Sequence, residues 1–158
     1  MPADLANKVA IVTGGARGIG AATAVELARH GADVTVCDIR PEAAAEDVLR
    51  QIRDSGRRAL FFQADVADRA AVERTVAETA ERLGRLDIMV NNAAQNVRRP
   101  LLELESADVE RVWHTIVMGA FHCSQLAARR MVAQGDGGNI VTISSVHACL
   151  AFRDNGPY

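Results

Sequence analysis

Lysine is almost missing from this chain. Of its 18 basic residues, 17 are arginine and Lys8 stands alone. Arginine keeps its charge and lacks lysine's compact ammonium, so it is no simple substitute. Cysteine is scarce too. Cys37, Cys123 and Cys149 make an odd count with no CxxC pair, which excludes a disulfide framework or a cysteine-rich zinc site. They read as small buried hydrophobes. No charge excess exists: the net charge is -2 and the basic residues are scattered, so nucleic acid and acidic membrane surfaces are not expected partners. No apolar run approaches a membrane span. Met1 to Lys8 lacks the apolar core of a secretory leader, and a cytoplasmic setting is the expectation. Internal repeats, low-complexity tracts and linkers are absent.

What is present is an ordinary globular balance, 49% hydrophobic and 24% charged over 158 residues. That length suits one domain over residues 1–158. Short apolar runs alternate with amphipathic stretches. Val9–Val12, Asp33–Asp38, Ala59–Gln63, Leu86–Asn91 and Asn139–Ser144 read as strands. Helices are predicted from Gly18 to His30, from Pro41 to Ser55-Gly56, from Asp68 to Leu83, and in one long stretch from Ser106 to Gln134. Val97–Glu105 and Ser145–Tyr158 read as irregular. Regular alternation of strand and helix predicts an α/β fold on a parallel sheet.

Between the first strand and first helix lies Thr13-Gly14-Gly15-Ala16-Arg17-Gly18-Ile19-Gly20. Glycine lets a backbone approach a phosphate closely, and a helix N-terminus offers free N–H groups and a positive dipole end. The placement after a strand and before a helix marks a dinucleotide loop, although its Gly-x-x-x-Gly-x-Gly spacing is wider than the usual fingerprint. Asp38 closes the second strand 18 residues after Gly20. A carboxylate there accepts hydrogen bonds from adenosine ribose hydroxyls and repels a 2′-phosphate. Arg17 pulls toward a 2′-phosphate, but an exposed arginine turns away more easily than a strand-end carboxylate, so NAD is preferred over NADP. His30, His114, His122 and His147 lack a metal-ligand pattern, and no metal is expected. Trp113 reads as helix packing, and Glu103, Glu105, Asp108 and Glu110 as an acidic helix start.

The ordered set of motifs resembles the short-chain dehydrogenase/reductase family along the whole chain. Thr13-Gly14-x-x-x-Gly18-x-Gly20 resembles its cofactor loop, and Asp65-Val66 its adenine-contacting pair. Asn91-Asn92-Ala93-Ala94 is similar to its Asn-Asn-Ala-Gly motif. Gly119-x-Phe121 resembles the middle of its long helix, and Ile143-Ser144-Ser145 the strand carrying its catalytic serine. Tyr158 lies 13 residues after Ser145, the family's gap between serine and tyrosine. The resemblance implies a Rossmann-type doubly wound parallel sheet in three layers (αβα), with about five of the family's seven strands present. It implies hydride transfer between a nicotinamide cofactor and a small alcohol or carbonyl. Tyr158 is then the general acid/base and Ser145 stabilises the substrate oxygen. Gly14, Arg17, Gly18, Ile19, Gly20, Asp38, Ile39, Asp65, Val66, Asn92, Ala93 and Ile143 are the implied cofactor contacts. A homo-oligomer is implied for the full-length form.

Three departures accompany the resemblance. The family's lysine, four residues after the tyrosine, falls beyond Tyr158, and Lys8 lies at what the topology makes the wrong end of the sheet. The parent chain is therefore expected to continue, and the fifth strand to stand as an unpaired edge. The family's asparagine in the long helix falls on Ile116, which cannot hydrogen-bond through its side chain. Ala94 replaces a glycine, a mild change if the backbone there keeps a negative φ. These departures favour two alternatives: an inactive NAD-binding fragment or pseudoenzyme, and an interaction fragment whose sheet edge pairs with another chain.

Overall fold

Valine-rich runs extend because β-branched side chains suit a pleated surface packed on both faces. In the computed structural model, which describes residues 4–150 and Tyr158, five such runs form one sheet. They are β1 (Val9–Thr13), β2 (Asp33–Asp38), β3 (Ala59–Gln63), β4 (Ile88–Asn91) and β5 (Asn139–Thr142). All four pairings are parallel and the order is β3-β2-β1-β4-β5.

Alternation along each strand sorts side chains into two cores. Ala10, Val12, Val34, Val36, Ile88 and Val90 pack on one face against α1 (Gly18–Arg29) and α2 (Glu46–Asp54), through Ala24, Val25, Leu49 and Ile52. Ile11, Cys37 and Met89 point the other way. They meet α3 (Arg69–Leu83) and the C-terminal helix α5 (Gly119–Ala133), through Val72, Val76, Leu126 and Ala127. Helices therefore cover both faces of the sheet, giving the expected three layers. Strand order reverses at β1, whose neighbours are β2 and β4. A crevice for a ligand opens beyond the carboxyl ends of strands at such a point.

Several boundaries differ from expectation. Pro41 precedes a short 3-10 turn (Glu42–Ala45) that leads into α2, in place of one continuous helix. Leu86 and Asp87 are buried but lie before β4, and β5 ends at Thr142, two residues early. The long helix is interrupted. Helix α4 (Ser106–Trp113) passes into a π turn (His114–Met118) before α5 begins. Asp68 caps α3 as expected, accepting a hydrogen bond from the Ala70 N–H at 2.9 Å, and Gly84 ends it with φ +93°.

Other expectations are corrected by exposure. Trp113 is 55% exposed rather than packed, because the buried face of α4 carries Asp108 and Val112 and the next residue turns outward. Cys149 is exposed beyond the last strand, whereas Cys37 and Cys123 are buried. Among the described residues, β5 pairs only with β4 and is exposed along its length, as an edge strand would be. Among the same residues, no helix is long and apolar enough to cross a membrane and no His/Cys/Asp/Glu group is placed to hold a metal ion. Most of the expected terminal loop, residues 151–157, lies outside the described residues.

Candidate active site

The loop after β1 is shaped by its glycines. Gly18 holds φ +57°, where an L side chain is strained. A Cβ on Gly20 would collide with the Gly14 carbonyl oxygen and approach the Asn92 Nδ2 to 2.5 Å. The backbone thus comes close enough to itself, and to any ligand above it, only with glycine there. Helix α1 starts just beyond. Its N-cap residue, Arg17, makes no side-chain cap bond and its first turn holds no acidic residue. That leaves the positive end of the helix to act on a ligand.

Asn92 ties this loop to the end of β4. Its Nδ2 donates to the carbonyls of Thr13 and Gly14, at 3.0 and 3.2 Å. The Thr13 hydroxyl accepts the N–H groups of Asn92 and Ala93 and donates to the Val90 carbonyl. Asp38 is buried and holds the loop from the other side. One carboxylate oxygen accepts the Ala16 N–H and the other the Arg40 N–H, both at 3.0 Å. Each oxygen keeps a further lone-pair site for another donor.

A cavity of about 610 Å³ lies over this frame. Gly14, Arg17, Gly18, Ile19, Asp38, Ile39, Asp65, Val66, Asn92 and Ala93 line it, so ten of the twelve expected cofactor contacts meet there. Gly20 sits beneath the loop as its close-packed floor. Ile143 lies instead in a second, smaller cavity of about 210 Å³, together with Ser144, Ser145 and Tyr158. The two expected catalytic residues therefore share one cavity. Ser145 Oγ accepts the His147 N–H at 3.2 Å, and the Tyr158 ring meets the His147 ring edge-on at 5.5 Å between centroids.

The departures also find their places. Ile116 lines the second cavity from within the π turn. Lys8 pairs with Asp87 at 3.2 Å, at the amino end of the sheet and so opposite both cavities. Ala94 is not among the described residues with positive φ, so its methyl group is tolerated.

Further residues line the site, among them Asn91 of the Asn-Asn-Ala-Ala motif and Thr115, Gln95 and Cys123, which carried no clear sequence signal. Asn91 is buried in the second cavity and donates to Ser124 Oγ and Thr142 Oγ1, while its own Oδ1 has no partner among the described residues. Thr115 and Gln95 join by a hydrogen bond of 3.3 Å. Cys123 also lines the second cavity, but burial pushes its thiol up to about 12, which makes it a poor nucleophile. His114 opens the π turn and His122 lies in α5; each ring nitrogen Nδ1 donates to a backbone carbonyl, of Glu110 and Val66 respectively.

Residues 8–158 match the family profile described as short chain dehydrogenase. The chain belongs to that family. Short chain dehydrogenases among the curated relatives include L-rhamnose 1-dehydrogenase (NAD(P)(+)) of Sphingomonas sp. (strain SKA58). It is 38% identical over 146 residues, which cover 92% of this chain and 58% of that enzyme. Cis-4-hydroxycyclohexanecarboxylate dehydrogenase of Sinomonas cyclohexanicum is 40% identical over 154 residues, covering 97% of this chain and 61% of the relative. Solved structures of this family superpose closely. Carveol dehydrogenase from Mycobacterium avium in complex with NAD gives a TM-score of 0.92 at 31% identity, covering 98% of this chain and 60% of that one. NAD+-bound xylitol dehydrogenase gives 0.91 at 32% identity, with 98% and 59% covered. The chain thus spans about three-fifths of the length of the relatives it matches.

Proposed function

We propose that this chain forms the dinucleotide-binding part, and the serine and tyrosine, of an NAD(H)-dependent oxidoreductase acting on a small alcohol or carbonyl compound. One observation carries the reading. The glycine loop and Asp38 line one cavity, Ser145 and Tyr158 line the next, and the two cavities share walls. A nicotinamide dinucleotide would be held by the loop at Gly14, Gly18 and Gly20, by α1's N-terminus and by Asp38. When bound it supplies the hydride-carrying ring.

Ser145 would hold the reacting oxygen of the substrate by its hydroxyl. Tyr158 would exchange a proton with that oxygen as general acid or base. A phenol's pKa of about 10 makes it a weak base near neutrality, so it needs a neighbouring positive charge. Lys8 cannot supply it from the opposite end of the sheet. The family resemblance gives that role to a lysine four residues after the tyrosine. The preference for NAD follows from Asp38, which is buried and fixed by two backbone N–H groups, whereas Arg17 is exposed. A 2′-phosphate would meet a carboxylate that cannot turn away.

Ile116 and the distant Lys8 support a second reading, in which this chain binds the dinucleotide without turning over substrate. Titration with NADH and NADPH, followed by fluorescence, tests the shared step. Binding that favours NADH is expected, and soluble folded protein that binds neither would remove both readings. Hydride transfer to or from added alcohols and carbonyls then separates the two.

A further inference from the structure

Val66, Ala93, Ala94 and Thr115 belong to the walls of both cavities and so form the neck between them. Only Thr115 among these brings a polar side chain. Gly119 lets the helix close on that neck, since a Cβ there would come within 2.6 Å of Val66 Cγ2. Thr115 reaches it from the π turn, where the wider coil redirects side chains relative to a regular α-helix. Its hydroxyl donates to Gln95 Oε1 at 3.3 Å, long for an O–H···O bond. The oxygen keeps acceptor sites and the proton is weakly committed. Gln95 itself lines the cavity that holds Asp38.

A dinucleotide reaching from the glycine loop to Ser145 and Tyr158 must cross this neck. The part that crosses carries diphosphate and ribose oxygens. Burying those oxygens against Val66, Ala93 and Ala94 alone is unfavourable without a hydrogen-bond partner. We propose that Thr115 is a cofactor-contacting residue whose hydroxyl bonds the diphosphate–ribose segment at the neck. The inference rests on the dinucleotide reading given above. It assigns a polar contact to the residue immediately before Ile116, where the side chain can form no hydrogen bond.

The test compares wild type with Thr115→Val, which keeps the shape and removes the hydroxyl, and with Thr115→Ser, which keeps the hydroxyl. Dissociation constants are measured for AMP, ADP-ribose and NADH, by calorimetry for the first two and fluorescence for the third. Thr115→Val should weaken ADP-ribose and NADH by about three- to tenfold, the range expected for one lost hydrogen bond. AMP binding should be unchanged, and Thr115→Ser should restore the wild-type values. Equal binding of ADP-ribose and NADH by wild type and Thr115→Val overturns the inference alone, as does an equal loss for AMP. Failure of the wild-type chain to bind any of the three overturns the dinucleotide reading and this inference together. An unchanged urea midpoint for Thr115→Val identifies any loss as a binding effect.

Discussion

Asp38 joins architecture to recognition at the scale of one residue. Its two oxygens already accept the Ala16 and Arg40 N–H groups, so the carboxylate cannot swing away from a ligand. Asp38→Asn removes the charge with little change of shape. It should narrow the proposed preference for NADH over NADPH by about tenfold or more, read from paired titrations, because a close like-charge contact is worth over about 1 kcal/mol. The thiols make a separate prediction. Burial pushes Cys37 and Cys123 each up to about 12, while Cys149 is exposed. A neutral-pH thiol reagent should therefore label one cysteine in the native chain and three after unfolding, counted by mass. Asp38 was legible from its place after a valine-rich strand downstream of a glycine loop. Thr115 was not, because nothing in a single helical stretch distinguishes a residue whose direction a π turn will change. The exposure of Trp113 and Cys149 was likewise hidden, since residue type reports hydrophobicity but not which way a helix face turns.

Among the elements, α3 is the one whose ends the sequence states most openly. Asp68 satisfies an N–H of the first turn, and Gly84 ends the helix in the left-handed region. Asp68→Ala should cost about 1 kcal/mol, the usual worth of an N-cap. Gly84→Ala should cost roughly as much through strain at positive φ. Urea unfolding checks both, with an unchanged slope showing that only stability moved. The strands were legible because buried parallel strands are continuous apolar runs. Their ends were less so. Leu86 and Asp87 extend the buried stretch before β4, and Asp87 already bonds the Val9 carbonyl and the Asn139 N–H, although the paired register begins at Ile88. The interruption after Trp113 left no mark in the apolar periodicity, since one widened turn shifts the pattern by a single position.

At the scale of the whole fold, two of the four buried aspartates among the described residues, Asp33 and Asp87, sit where strands begin. Asp33 meets Arg57 at 2.8 Å and Arg58 at 2.6 Å. Asp87 meets Arg85 at 2.6 Å and Lys8 at 3.2 Å, and accepts the Val9 N–H. Burial alone would raise both carboxyls. For Asp33 the Arg58 hydrogen bonds and the charges of Arg57 and Arg58 outweigh it, and for Asp87 those of Arg85, Val9 and Lys8, so both are held below the ordinary value of 3.8. A carboxyl lowered by folding contributes stability that is present above its unfolded value and lost as pH falls through its folded one. The urea midpoint should be nearly flat down to about pH 5 and decline below about pH 4. Asp87→Asn should lower the midpoint at neutral pH and flatten the acid decline.

That arrangement divides the sheet into a fastened end and an open end. Arginine clamps gather at Asp33 and Asp87, where the strands begin. The glycine loop, Asn91, Ser145 and Tyr158 gather where they finish. A change in which ligand is held can therefore be explored at one rim while the rivets at the other stay in place. Evolution, or a directed library confined to the open rim, could revise the chemistry of this chain without reopening the question of how it folds.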